Sequence, residues 1–376
     1  MKIGLDVSQT CVEIGGCGWI AHQLAMAMSG LSSPQKEIIL YHHFGNWVNA
    51  NTNNGVRSVA SSVSSPLLNM DHNNAQLLWK EIEIGTAQLP GEPNIIHSHN
   101  FSAPNTGSVP LVYTVHDLAF WDLPGSTTEA NRLICQNGII KSLSNARAFV
   151  FPSQFTRLRF LEFFSDIVDK NEQHTAVVQW AGRFTPRNKP KYYSSETPWI
   201  FVGSLDPRKN IRNMLQAYER YREKSSICRQ LFIAGPRGWK TEFEASHIKS
   251  LTRRGWVKHL GYLDDPMLAK LYRDAFALVW PSFYEGFGLP IVEAMSQGTP
   301  VITSNRTSMP EVGGAAAIYC DPESVESISD AMLSLENNEH QYAAFSKDSL
   351  QQSSKFSWET AAGKLFDFYE KVLSSK

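Results

Sequence analysis

Two glutamates and two adjacent cations in the second half of the chain have the types and positions for chemistry on an anionic ligand. Arg208 and Lys209 stand between the expected end of a strand at Val202 and a helix that begins at Ile211. Two cations at such a junction suit the clamping of a diphosphate. The plain alternative is a solvated basic turn. Glu285 falls where the carboxyl end of a predicted strand meets a loop, the usual ligand position in open α/β sheets. Glu293, eight residues later, lies about one turn into a predicted helix and can face the same crevice. For this pair the plain alternative is a solvated loop residue and a surface helix residue. His116 closes another predicted strand, 111–115, and so points into a crevice; alone in that place a histidine is more often structural.

These residues need elements to hold them, and the stretch 276–304 supplies a strand, a glycine loop, a helix and a second strand. Phe276 to Trp280 is an apolar run of buried-strand length, and Pro281-Ser282 stops it. Gly286 and Gly288 let the loop backbone approach a ligand closely. Pro290 suits the first helical turn. Ile291, Ala294 and Met295 give that helix an apolar face, Gly298 ends it, and 301–303 reads as the next strand. The free N–H groups at the helix start, near Leu289, make an anion site beside the loop.

The first half alternates strands and helices. Strands are expected at 2–7, 37–41, 95–97, 111–115 and 148–151, and helices at 19–28 and 154–163. Loop 8–14 leads to Gly15-Gly16-Cys17-Gly18. Gly16-x-Gly18-x-x-Ala21 fits a loose dinucleotide fingerprint, but the strand does not run directly into the glycines. Nor does an acid end the next strand, which His42 and His43 close. Residues 46–74, rich in Asn and Ser, read as a loop-rich excursion. Residues 182–197 lack apolar period, contain two prolines and read as a domain linker. The second half restarts with strand 199–202 and helix 211–221, then strands 231–234 and 257–262. A helix over 324–335 and a last one over 357–373 follow.

The run P-S-x-x-E-G-F-G-L-P-x-x-E-A-M-x-x-G-x-P-V-I, 281–302, resembles the E-x7-E signature of retaining, nucleotide-sugar-dependent glycosyltransferases of the GT-B fold, family 4. Arg208-Lys209-Asn210 resembles that family's R-K-N motif, His116-Asp117 its H-D motif, and Gly15-Gly16-Cys17-Gly18 its first phosphate-approaching loop. The family often has an Arg-Tyr-like pair after that loop; here it is Trp19-Ile20. The resemblance implies two Rossmann-like α/β domains facing across a cleft. The first would span 1–181, joined by a C-terminal helix, 357–374, that crosses back to it. The linker would be 182–197 and the nucleotide-sugar domain 198–356. It also implies that Glu285 holds sugar hydroxyls and supports an oxocarbenium-like centre while His116 contacts the donor sugar. Arg208, Lys209, Gly16, Gly18, Gly288 and Leu289 would serve the diphosphate, Glu293 the ribose, and Gly286 and Phe287 the sugar. No D-x-D motif is present, and the charge on the leaving diphosphate is met without a metal or other cofactor. Within the family the pattern looks most like bacterial mannosyl- and rhamnosyltransferases of surface polysaccharide assembly. GDP-mannose is therefore the first donor expected, ahead of UDP-sugars, and a glycan or lipid-linked oligosaccharide the acceptor.

Composition fits a cytoplasmic enzyme. The 376 residues are 42% hydrophobic and 19% charged, with a net charge of −1. No apolar run reaches the roughly 18 residues of a membrane span, and the first residues have no signal-peptide character; peripheral contact with the inner face of the membrane would suit a lipid-linked acceptor. Five scattered cysteines without a CxxC pair argue for a reducing compartment and against zinc. His97 and His99 share a strand face but have no evident third ligand. No basic run is dense enough for nucleic acid. Ten basic residues face fourteen acidic ones over 1–180, and twenty-five face twenty-two over 181–376, a mild bias compatible with holding a diphosphate in the second half. The rival readings are a sugar-nucleotide epimerase or phosphorylase of the same fold, a nicotinamide oxidoreductase resting on Gly16 and Gly18 alone, and a non-catalytic nucleotide- or glycan-binding module.

Overall fold

The computed structural model describes residues 1–375 apart from 13, 14, 100, 188, 190–192 and 239–241. The chain forms two compact units. One comprises Met1–Trp121, Glu129–Trp180 and Trp358–Lys376; the other comprises Asp122–Thr128 and Ala181–Ser357.

The first unit is built on β1 (Lys2–Asp6), β2 (Glu37–Tyr41), β3 (Val63–Ser64), β4 (Ile95–Ser98), β5 (Leu111–Thr114), β6 (Ala146–Phe151) and β7 (His174–Val177). They lie in the order β3-β2-β1-β4-β5-β6-β7 and pair in parallel. The central strands are short apolar runs buried along their length, as a parallel sheet covered on both faces demands. Its core collects Tyr41, Phe44 and Trp79 beside Phe149, Phe151 and Phe160. The last helix, Trp358–Ser374, belongs to this unit. Its Trp358 ring lies 5.6 Å from Trp19 and 6.1 Å from Trp180, and Leu365, Phe366 and Tyr369 are buried with it.

The second unit repeats the plan with β8 (Trp199–Val202), β9 (Leu231–Ala234), β10 (Val257–Gly261), β11 (Ala277–Trp280), β12 (Val301–Ser304) and β13 (Ala317–Cys320). Their order is β10-β9-β8-β11-β12-β13, again parallel. Both sheets thus have the doubly wound order in which the strand sequence turns at one central gap.

Several expectations shift. The first helix begins at Gly16 rather than Trp19, so the glycines form its first turn. The excursion 46–74 contains β3, and a helix, His72–Glu83, starts at its end, capped by Asp71 accepting from the Asn74 N–H. Helices Glu129–Asn145 and Glu339–Ser353 were not anticipated. The described part of the stretch 182–197 packs within the second unit: Arg187 N–H donates to the Ser296 carbonyl at 2.8 Å, and Gln297 to that of Thr185 at 3.1 Å. Four residues of that stretch, 188 and 190–192, lie outside the described ones. Among the described residues no helix is long and apolar enough to cross a membrane.

Candidate active site

β8 and β11 are neighbours at the turn of strand order in the second sheet, with β9 beyond one and β12 beyond the other. Loops leaving their carboxyl ends diverge there, and open α/β sheets take ligands in that crevice. The loop after β8 carries Arg208 and Lys209; the loop after β11 carries Glu285.

The two loops are stitched together. The Arg208 carbonyl accepts from the Phe283 N–H at 2.9 Å and the Ser282 hydroxyl at 3.0 Å. Asn210 sits in the left-handed region at φ 59°, which asparagine tolerates, and its amide donates to the Pro281 and Pro322 carbonyls at 2.9 and 2.7 Å. Gly203 has φ +146°, and a Cβ there would come within 2.8 Å of the Trp280 ring and 3.1 Å of Lys209 Nζ. Only glycine lets the β8 strand end so close beneath the lysine.

Arg208 Nη1 donates to Glu285 Oε2 at 2.7 Å and to the Tyr284 carbonyl at 2.6 Å. Lys209 Nζ lies 3.9 Å from Glu285 Oε1 and 4.4 Å from the centre of the Trp280 ring. Ser282 completes the set, its hydroxyl also within hydrogen-bond reach of Glu285 Oε1 at 2.9 Å, so that one proton is shared between that carboxylate and the Arg208 carbonyl. Glu285 is 8% exposed. Burial pushes its pKa up, but Arg208, Lys209 and the hydrogen bonds outweigh burial and hold it below the usual carboxylate range. The carboxylate is therefore ionised at neutral pH. Two cations and one anion leave a net positive cluster, beside the helix Leu289–Ser296, whose N-cap is Gly288 at φ +109°. That arrangement can take an anionic group and set a carboxylate next to it. Gly286, Phe287, Gly288 and Leu289 follow Glu285 along this loop into the helix start.

Glu293 sits among different partners. It is wholly buried and accepts from Arg183 Nε at 2.6 Å, Arg183 Nη2 at 3.1 Å and the Tyr272 hydroxyl at 3.0 Å. The neighbours of Glu285 are Arg208, Lys209 and Ser282; those of Glu293 are Arg183 and Tyr272. The two glutamates are separately partnered carboxylates. Nothing local in the sequence marks Arg183 or Tyr272 as its partners.

In the first unit the residues marked from sequence also gather. Gly16 opens the first helix and Gly18 packs against the Gln9 carbonyl. Cys17 stands between them, and its side chain is among the groups that act on the His116 ring. His116 donates from Nε2 to the His99 carbonyl at 2.7 Å, an acceptor that fixes where the proton sits. Burial disfavours charge on this ring, but Cys17, the His99 carbonyl and Asp117 outweigh it and raise the pKa to about 9. His97 and His99 do share a face, their ring centres 4.0 Å apart, with His97 bonded to Thr114 at 2.7 Å and to the Tyr369 hydroxyl. Burial keeps both rings neutral and takes His99 down to about 3. Among the described residues no group of three or more His, Cys, Asp or Glu is placed to hold a metal.

The charge on His116 has a measurable sign. A raised histidine pKa contributes stability that is complete below the ordinary value near 6.5 and is lost as pH rises through about 9. The gap in thermal stability between the wild type and His116→Gln is expected to narrow between pH 7 and 10. A gap that stays constant would mean the ring is neutral throughout.

Two comparisons bear on what these sites serve. The family model described as "Glycosyl transferases group 1" matches residues 183–352, which hold the whole Arg208–Lys209–Glu285 cluster. The chain is also 33% identical over 285 residues to the O-antigen chain mannosyltransferase B of Escherichia coli, covering 73% of this chain and 74% of that one. The chain belongs to the group 1 glycosyltransferases. In fold, this glycosyltransferase is similar to sucrose-phosphate synthase from Thermosynechococcus elongatus, with TM-score 0.72, 20% identity and all of both chains covered. It is also similar to HepE of Anabaena, solved in complex with UDP and glucose, with TM-score 0.68, 16% identity and 99% and 100% of the two chains covered. Both likenesses place the glycosyltransferase in the GT-B fold.

Proposed function

We propose that this glycosyltransferase moves a mannosyl unit from GDP-mannose to a hydroxyl of a growing, lipid-linked surface polysaccharide of O-antigen type, with retention at the anomeric carbon. One observation carries the chemistry: an ionised, nearly buried Glu285 held between Arg208 and Lys209 at a sheet switch point. The likeness to an O-antigen chain mannosyltransferase supports the sugar and the polymer. A departing diphosphate gains negative charge, which Arg208, Lys209 and the helix start at Leu289 would stabilise. Glu285 would support the oxocarbenium-like sugar. The resemblance to retaining glycosyltransferases favours departure and attack on one face over a double displacement. His116, Gly16 and Gly18 would also serve the donor, and Glu293 the ribose. A cytoplasmic location, with peripheral contact at the inner face of the membrane, suits a nucleotide-sugar donor and a lipid-linked acceptor.

A thermal-shift panel of nucleotide sugars tests the donor, because a ligand that binds only the folded state raises the melting temperature. GDP-mannose is expected to give the largest shift and, with acceptor, to release GDP. A larger shift from a UDP-sugar would reassign the donor. A new glycosidic linkage in the product separates transfer from epimerisation, and turnover of any kind separates the enzyme from a binding module.

Metal independence belongs to the same reading. Two cations and a helix start supply the positive charge, so transfer is expected to survive excess chelator. Complete loss on chelation, restored by manganese, would show that the leaving group is neutralised some other way.

A further inference from the structure

The loop that presents Glu285 needs backbone support, because 281–288 has no regular hydrogen-bond ladder of its own. Part of that support comes from the loop after β12. The Glu285 N–H donates to Thr307 Oγ1 at 3.2 Å. Ser308 Oγ, fully buried, lies within hydrogen-bond reach of the Glu285 and Phe287 carbonyls, at 2.8 and 2.9 Å. Two consecutive hydroxyls thus hold the backbone on both sides of the catalytic carboxylate. Thr307 does so from φ +55°, the left-handed region. A β-branched residue there is strained by the order of 1–3 kcal/mol, and such strain persists where the surroundings require it. Glycine would adopt this backbone freely, and threonine contributes what glycine lacks, an oxygen aimed at the Glu285 N–H.

We propose that Thr307 and Ser308 are positioning residues for transfer, a two-hydroxyl clamp that fixes the backbone of Glu285–Phe287. This rests on reading Glu285 as the carboxylate at the reacting sugar. The clamp holds Glu285 in register with Arg208 and Lys209, whose own hydrogen bond and ion pair fix the carboxylate itself. A misplacement of an ångström at such a centre costs about 10²-fold in rate. On that reading the donor diphosphate is held by the cations and the helix start at Leu289, beyond the clamped Glu285–Phe287 backbone, so the loss falls on turnover.

Thr307→Gly separates the clamp from a merely structural role, because it relieves the backbone strain and deletes the hydroxyl together. The variant is expected to melt no lower than the wild type, to lose about tenfold to a hundredfold in kcat, and to keep the donor KM within about threefold. Thr307→Ser, which keeps the oxygen, is expected to restore most of the turnover. Ser308→Ala is expected to lower kcat in the same range with KM preserved, folding being checked by circular dichroism. Glu285→Gln is measured alongside. Slow Glu285→Gln with fully active Thr307→Gly overturns the clamp alone. Full turnover in Glu285→Gln overturns the reading of Glu285, and the clamp falls with it.

Discussion

Glu285→Gln is expected to lower turnover by about 10²–10³-fold, the scale of removing one preorganised electrostatic group from an active site, while the donor KM holds or falls. The amide keeps the shape and can still meet Ser282 and Arg208, so the loop at 281–288 is retained. What goes is the negative charge beside the sugar as its anomeric carbon becomes cationic. The same charge competes internally for Arg208 and Lys209. Removing it leaves both cations more available to the donor diphosphate, so ground-state affinity does not suffer. Loss confined to kcat marks an interaction made in the transition state. Glu293→Gln is expected to behave differently. As a ribose partner it would raise the donor KM and leave kcat nearly unchanged. The substitution also deprives Arg183 of a buried anionic partner at 2.6 Å, costing about 1.5–3 kcal/mol of stability for hydrogen bonds to a charged group. Steady-state kinetics with thermal melts decide between the roles. If Glu293→Gln lost turnover and Glu285→Gln only raised KM, the two assignments would be exchanged.

The contrast between these glutamates shows what the sequence could disclose. The stretch around Glu285 is punctuated locally: an apolar run, Pro281, two glycines, Pro290 and Gly298 mark β11, the loop, the helix and β12 within 30 residues or so. Arg208 and Lys209 are equally legible, because strand, basic turn and helix start follow in order. Glu293 is not. Its partners lie 110 and 21 residues earlier, and no periodicity reports an ion pair of that kind. The hydroxyls of Thr307 and Ser308 were hidden in a polar loop whose strain appears only as a dihedral angle.

The helices that escaped notice failed for a different reason. Glu129–Asn145 buries Cys135, Gly138, Ile139, Ser142 and Leu143 while exposing Leu133, Ile134 and Ile140. Its apolar residues do not fall on one face, and the 3.6-residue period disappears. Glu339–Ser353 buries Ser346, Ser349, Gln352 and Ser353, which read as surface. At the first helix, Gly16 and Gly18 read as loop because glycine is a poor helix former. Small residues at a helix start are helical here because the turn packs on Gln9.

Arg208→Ala tests the other half of the cluster. Arg208 is one-fifth exposed and holds three groups in place: it donates to the Glu285 carboxylate and the Tyr284 carbonyl, and its own carbonyl receives Ser282. Its guanidinium loss is expected to weaken nucleoside diphosphate binding by about 1.5–3 kcal/mol, the scale of a hydrogen bond to a charged group. Lys209→Ala is expected to fall in the same range, since its ammonium sits over Trp280 and pairs with the other oxygen of Glu285. The arginine variant has a second consequence. Burial then acts on Glu285 against Lys209 and the Ser282 hydrogen bond without the arginine, so the carboxyl pKa rises from its depressed value. A depressed carboxylate stabilises the fold above its ordinary pKa and loses that contribution as pH falls through the folded value. Arg208→Ala should therefore lose stability at neutral pH, and the deficit should shrink as pH falls below the ordinary carboxylate range through the depressed value at which wild-type Glu285 also protonates. Lysine at 208 is expected to recover part of the diphosphate affinity and little of the loop stability, because one ammonium does not reproduce the planar fork. Titration calorimetry with the nucleoside diphosphate and melts across pH 3–8 measure both. Unchanged affinity in Arg208→Ala and in Lys209→Ala would sink the clamp assignment. A stability deficit that ignores pH would show that Glu285 does not depend on Arg208 for its charge.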